Sequence, residues 1–182
     1  MNDKKFDFDK SSAKDVVKKH SGILLDIGCG ESKQSGFVGM DRRKLPGVDI
    51  VHDLEIFPWP LKDESCLTII GSHIAEHILP QLTIDFFNEL WRILKVDGQL
   101  ALSMPYGYSQ GFLQDPTHCN MFNEATFQYF DPAYELYTIY KPKPWDIATG
   151  FPVWQVTGLI EIMMKKMSLE EAEKISDKVK NV

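Results

Sequence analysis

The stretch LLDIGCGESKQSGFVGMD, Leu24 to Asp41, decides the fold. An apolar run ends in an acid, a Gly-Cys-Gly turn follows, and a second apolar run ends in another acid. A continuous apolar run of strand length bounded by turn residues reads as a strand buried on both faces of a parallel sheet. GILLDIG (22–28) and FVGMD (37–41) are two such runs, and VDIVHDL (48–54), LTIIGSH (67–73) and QLALSMP (99–105) are three more. Between the fourth and fifth, Phe86, Phe87, Leu90, Trp91 and Leu94 recur at helical spacing, and Asp97-Gly98 supplies the turn expected to end that helix. Strands interleaved with one strong helix predict a doubly wound, mostly parallel α/β sheet.

The flanks read differently. Residues 1–21 form an N-terminal arm in which Ser12 caps a short helix reaching about His20. From Tyr106 to Trp154 the chain holds 13 of its 21 aromatic residues and five prolines, with Pro105 just before, which suits a cover over the sheet. YELYTIY (134–140) and VWQVTGLIEIMMKKM (153–167), joined by KPKPWDIATGFP, read as an antiparallel edge strand pair. SLEE at Ser168–Glu171 is a capping box opening a C-terminal helix over 168–182.

At 182 residues, 43% hydrophobic and 25% charged, the composition fits one soluble globular domain: a core at 22–104, a cover and edge at 105–164, and the two flanks. No apolar run approaches the roughly 18 residues of a membrane span, and MNDKKFDFDK has charges where a signal peptide is apolar. The expected location is cytoplasmic. Cys29, Cys66 and Cys119 are odd in number and far apart, so neither disulfides nor a structural zinc site is expected. A net charge of -6 disfavours nucleic acid as the main partner.

In open α/β sheets, ligands bind outside the carboxyl ends of the strands, so the residues just after each strand are the ones to read. These are Gly28, Cys29 and Gly30, then Asp41 and Arg42, Asp53 and Leu54, Ser72 and His73, and Pro105 and Tyr106. Glycines let a ligand approach the backbone, and an acid at the tip of the second strand can accept two hydrogen bonds from a ribose diol. A dinucleotide site needs GxGxxG and a helix facing the pyrophosphate, yet Lys33 takes the third glycine position. Only nine residues, Gly28 to Gly36, separate the first two runs. The usual crossover takes roughly 10 to 12. A shortened first crossover without a full helix disfavours NAD and leaves S-adenosylmethionine, which has no pyrophosphate.

LLDIGCG, VGMD, VDIVHDLEIFPWPLKDESCLTIIGSHIAEHI and ELWRILKVDGQLALSMP, in this order, resemble the class I S-adenosylmethionine-dependent methyltransferases. The likeness is to small domains with an SHxxEH segment after the fourth strand and a DPTH segment further on, here DPTHCNMFNEATFQYF, and it covers about Gly22 to Phe130. It implies a Rossmann-like methyltransferase fold. Asp26, Gly28 and Gly30 would frame the methionine part of the cofactor, Asp41 would hold the ribose, Asp53 and Leu54 would flank the adenine, and Ser72 and His73 would close the pocket. Cys29 and Arg42 lie beside these positions and count among the expected cofactor contacts. The truncated loop departs from the family pattern and leaves the roles of Glu31 to Gly36 open.

Methyl transfer from a sulfonium is an in-line displacement, helped by a general base where the acceptor loses a proton. His73 and His118 are candidate bases, and Asp115 is placed beside the acceptor by its Pro-containing loop. If a helix begins after the fourth strand, His73, Glu76 and His77 share one face. That segment also resembles the ExxEH of some hydroxyl-directed methyltransferases that bind a divalent ion, with His73 replacing the first glutamate, but no metal is assigned. Cys29 has no positive neighbour in sequence and is not taken as a nucleophile. Tyr106, Tyr108, Phe112, Phe122, Tyr129 and Phe130 line an acceptor pocket, or build the core of the cover, with Phe127 and Phe130 on the core side. Trp59, between two prolines, is a packing anchor. The expected activity is methyl transfer to a small molecule. A binding or regulatory module of the same fold is the alternative, and an NAD-dependent oxidoreductase a distant third.

Overall fold

A computed structural model describes residues 22–147, 153–154 and 158–179; the expected arm at 1–21, with its helix from Ser12, lies outside them, as do residues 180–182. Among the described residues the strands are β1 (Ile23–Ile27), β2 (Val38–Asp41), β3 (Ile50–Val51), β4 (Cys66–Ser72), β5 (Leu94–Pro105), β6 (Trp145–Asp146), β7 (Val153–Trp154) and β8 (Leu159–Lys166). They form one sheet in the order β3-β2-β1-β4-β5-β8-β6, with β7 also on β8. β1 to β5 run parallel, and β8 is antiparallel to β5, β6 and β7. The five expected parallel strands are all present.

The chain steps outward from β1 through β2 to β3, then returns to the other side of β1 as β4 and β5. Strand order therefore reverses between β1 and β4, and a crevice opens there beyond the strand ends. Leu25, Ile27, Ile69, Leu100, Leu102 and Met104 are buried in the middle of the sheet. The helix α1 (Thr83–Ile93) lays Phe86, Phe87, Leu90 and Ile93 against it, which is what the 3.6-residue spacing demands. Trp59 is buried as expected; its ring packs on Phe57 and Phe86, and its indole N–H donates to the Leu54 carbonyl at 3.1 Å.

Three expectations are corrected. First, α1 ends at Ile93, not at Asp97-Gly98: Leu94 is already extended and begins β5 opposite Cys66. Asp97, at φ 63°, and Gly98 lie in a bulge where the pairing shifts from Cys66↔Leu94 to Thr68↔Gln99. A Cβ at Gly98 would lie 2.7 Å from the Lys95 carbonyl oxygen, so the glycine serves the bulge. Second, YELYTIY is not a strand. Asp131 turns the chain through its contacts to the N–H groups of Ala133 and Tyr134, and Tyr137–Tyr140 is a short helix (α4 below) stopped by left-handed Lys141 and by Pro142. Third, Val153–Trp154 is a separate strand from β8, and Trp145–Asp146 and Val153–Trp154 both pair with β8 to make the edge.

Short helices cover the carboxyl end of β5: α2 (Gln110–Leu113), α3 (Glu124–Gln128) and α4 (Tyr137–Tyr140). Asn123 and Thr126 close a reciprocal capping box on α3. The last helix, α5 (Leu169–Val179), starts where expected, with the Ser168 hydroxyl accepting from the Glu171 N–H at 3.2 Å.

Candidate functional site

The turn after β1 is built by its glycines. Gly28 and Gly30 have φ of 62° and 52°, a region that L side chains rarely adopt, and a Cβ on Gly28 would lie 2.7 Å from Ile74. The chain then returns directly to β2 with no helix, through bonds of Ser32 N–H to the Cys29 carbonyl and Phe37 N–H to the Gln34 carbonyl. Asp26, buried at the end of β1, accepts from the Gln34 N–H at 2.7 Å and so pins the short loop. Lys33 pairs with Asp49 at 2.6 Å, and Asp49 also accepts from Gly39 N–H at 2.8 Å.

Asp41 ends β2 beside this turn. One carboxylate oxygen accepts from Gly30 N–H at 2.9 Å; the other accepts from the Arg43 N–H at 2.8 Å and its guanidinium at 3.3 Å. Burial works against ionisation, but these donors outweigh it and hold the Asp41 carboxyl below its ordinary value. Three donors among the described residues fill only part of the acceptor capacity of a carboxylate, roughly four lone-pair sites. Arg42, named from the sequence, is exposed, and its neighbour Arg43 makes the contact. Sequence gave no means of choosing between the two. Cys29 is buried, and burial first, then the charges of Asp26 and Asp41, push its thiol up, which disfavours the thiolate.

On the β3 side, Asp53 accepts from the Glu55 N–H at 3.0 Å in a turn, and Leu54 is buried in the core under Trp59. Ser72 is exposed at the end of β4. His73 follows in a left-handed turn at φ 54° with its N–H on the Ser103 carbonyl. The expected helix face is absent: only Ala75–His77 is helical, as one 3-10 turn. His73 nevertheless comes to Glu76, with Nδ1 3.2 Å from Oε1.

The loop after β5 closes on the same turn. Cys119 and Asn120 donate their N–H groups to the Glu76 carbonyl at 2.9 and 3.0 Å. This places His118 Nε2 3.9 Å from Glu76 Oε1 and 3.7 Å from Asp115 Oδ2, and stacks the His77 and His118 rings edge to face at 4.8 Å. Asp115 accepts from both the hydroxyl and the N–H of Thr117, and this, the hydroxyl foremost, holds its carboxyl low. His73 and His118 thus both approach Glu76, Asp115 approaches His118, and His77 stacks on His118.

The aromatic cover divides. Phe112, Phe122, Phe127 and Phe130 are buried, whereas Tyr106 and Tyr108 line a cleft of about 460 Å³ with Ser109, Glu124 and Gly158. The Glu124 charge beside the Tyr106 phenol pushes that hydroxyl up. Glu124 carried no motif and was legible only once α3 had been placed.

Neither a family model nor a curated protein matches this sequence. Solved structures do match in fold. A SAM-dependent methyltransferase from Archaeoglobus fulgidus shares 17% identity over 94% of this chain and 85% of its own, with a TM-score of 0.53. One from Methanosarcina mazei shares 15% over 84% and 97%, with a TM-score of 0.52. The Burkholderia thailandensis 1,6-didemethyltoxoflavin-N1-methyltransferase, crystallised with 1,6-didemethyltoxoflavin and S-adenosylhomocysteine, shares 11% over 87% and 76%, with a TM-score of 0.55. The chain has the fold of the S-adenosylmethionine-dependent class I methyltransferases: an α/β, mostly parallel sheet with an antiparallel edge. No helix among the described residues is long and apolar enough to cross a membrane.

Proposed function

We propose that the protein is an S-adenosylmethionine-dependent methyltransferase acting on a small-molecule acceptor. The observation that carries this reading is the bond between Gly30 N–H and Asp41 at the strand ends beside the sheet's reversal point. It joins an approachable backbone turn to a buried carboxylate with spare acceptor capacity, a pair suited to an amino-acid moiety on one side and a ribose diol on the other. Asp26, Gly28, Cys29 and Gly30 border the methionine part; Asp41 holds the ribose with Arg43 as its brace; Asp53 and the backbone at Leu54 flank the adenine; Ser72 and His73 close the pocket.

The acceptor enters from the side of β4 and β5, past Tyr106, Tyr108 and Glu124. Its nucleophile attacks the methyl carbon in line as the bond to sulfur breaks, the electron pair staying on sulfur to leave S-adenosylhomocysteine. Where the nucleophile carries a proton, His73 on the exposed rim takes it, with Asp115 and His118 shaping that wall. The net charge of -6 supports a small acceptor rather than nucleic acid.

Calorimetric titration with S-adenosylhomocysteine, with NAD as control and Asp41→Ala alongside, tests the cofactor. Micromolar binding that Asp41→Ala weakens strongly is expected. Binding of NAD alone, or of neither ligand, overturns the reading. The loop pinned to Asp26 and Asp41 also favours a second reading, a module that binds the cofactor without turnover. Tight binding with no methyl transfer across a panel of hydroxyl, amine and thiol acceptors would select it.

A further inference from the structure

We propose that Glu76, His77 and His118 form a site for one divalent transition-metal ion. Glu76 is 0% exposed, and among the described residues neither of its carboxylate oxygens has a hydrogen-bond partner. A buried carboxylate is normally paired, fully hydrogen-bonded or bound to a metal, because leaving water uncompensated costs several kcal/mol, about 2–7 for a neutral polar group alone. Of the imidazoles around it, His73 brings Nδ1 to 3.2 Å from Oε1 without completing a hydrogen bond, and the other two present acceptors. His118 Nδ1 lies 3.0 Å from the Phe112 carbonyl oxygen, which can only accept, so Nδ1 carries the proton and Nε2 presents its lone pair to Glu76 Oε1 at 3.9 Å. At His77 the Thr117 hydroxyl donates to Asp115, so its oxygen accepts from Nδ1–H at 3.2 Å and again leaves Nε2 as a lone pair. Two imidazole lone pairs and a carboxylate that completes no hydrogen bond thus converge, each ligand atom within 4.8 Å of the others. A cation between them satisfies all three.

The surroundings support this. Ligating histidines commonly donate the second ring N–H to a carbonyl or to a hydroxyl and carboxylate chain, as Phe112 and Thr117–Asp115 accept here. The backbone bonds from Cys119 and Asn120 to Glu76 hold the two halves of the site together. With metal–ligand bonds of about 2.0–2.2 Å, donor atoms stand roughly 3.3–3.6 Å apart, so closing on an ion requires side-chain shifts of about 1 Å. One oxygen and two imidazole nitrogens favour zinc, cobalt or iron(II) over magnesium or calcium. Three protein ligands leave a position open, toward the half-exposed rim of His73 and Asp115, where water or an oxygen of a small molecule can bind. The site rests on this geometry alone and stands whether or not the chain transfers methyl groups.

Tag-free protein, stripped with chelator and dialysed, is titrated with Co2+ and then Zn2+. A visible absorption band that saturates at one Co2+ per chain and is lost when Zn2+ is added is expected, with a Tm that rises with Zn2+. Glu76→Gln keeps the side-chain shape but removes the anionic oxygen, and it should weaken Co2+ binding about tenfold or more. His118→Gln provides a second variant, and far-UV circular dichroism identifies which of the two is folded. Absence of a stoichiometric band, or a band that both variants leave unchanged, overturns the site and leaves a polar cluster only. Neither result touches the S-adenosylhomocysteine titration, so the two proposals fail separately.

Discussion

Gly28 shows how much one residue can settle. Its positive φ and the 2.7 Å approach of Ile74 leave no room for a methyl group on either count. Gly28→Ala is expected to cost about 1–3 kcal/mol in urea unfolding, the range for a non-glycine residue forced into a rare backbone region. It should also weaken S-adenosylhomocysteine binding under the proposed function. Asp41 predicts a pH dependence. Its folded-state carboxyl lies below the unfolded value of about 3.9, so its stabilisation is complete above that value and is lost as pH falls through the lower folded one. Asp41→Asn should therefore be less stable than the wild type near pH 7, with the gap narrowing toward pH 3; an unchanged gap would remove the carboxylate from the stability account. At this scale the sequence was legible where a strand end dictated a residue type, as at Gly28, Gly30 and Asp41. It was silent where the chain brings distant loops together: Arg43 and Glu124 carry no pattern, and the meeting of His77 with His118 needs the loop after β5.

Elements were legible in proportion to their hydrophobic period. Four of the five parallel strands come from near-continuous apolar runs, the third shrinks to Ile50–Val51 within the more polar VDIVHDL, and α1 has a face that a helix buries. The misreadings fall where apolar residues lie beside punctuation that acts over a few residues. YELYTIY alternates like a strand, but Asp131 and the prolines at 142 and 144 close it into a helical turn. The end of α1 was set by pairing of Leu94 with Cys66, a tertiary contact, and not by the Asp-Gly signal three residues later. α1 also carries the packing of the cover: Phe87 is fully buried and its ring meets Phe86, Phe127 and Phe130, so one side chain links the sheet layer to α3. Phe87→Ala is expected to cost about 3–5 kcal/mol by denaturant unfolding, and the near-volume-conserving Phe87→Leu under about 1.5. Equal losses for the two would mean that ring contacts, not filled volume, hold the cover in place.

The whole molecule concentrates its polar chemistry at one end of the sheet. The Gly28 turn, Asp41, His73, Glu76 and the loop carrying Asp115 and His118 all follow the carboxyl ends of parallel strands, on both sides of the reversal between β1 and β4. The opposite side of β5 is closed by β8, whose Lys166 is buried with its ammonium 2.7 Å from the Leu94 carbonyl and over the Trp91 ring, an arrangement that serves packing. A ligand that bridges the turn after β1 and the acid after β2 therefore binds the folded sheet and has no counterpart in the unfolded chain. Binding to the native state alone adds RT ln(1 + [L]/Kd), about 2.7 kcal/mol at a hundred times Kd. For a chain of this size each kcal/mol moves Tm by roughly 2–4 °C. S-adenosylhomocysteine at that excess should therefore raise the calorimetric Tm by about 5–11 °C, NAD should leave it unchanged, and Asp41→Ala at the same ligand concentration should lose most of the rise. A full rise retained in Asp41→Ala would place the ligand elsewhere on the sheet, and the assignment of the β1–β2 strand ends would fall with it.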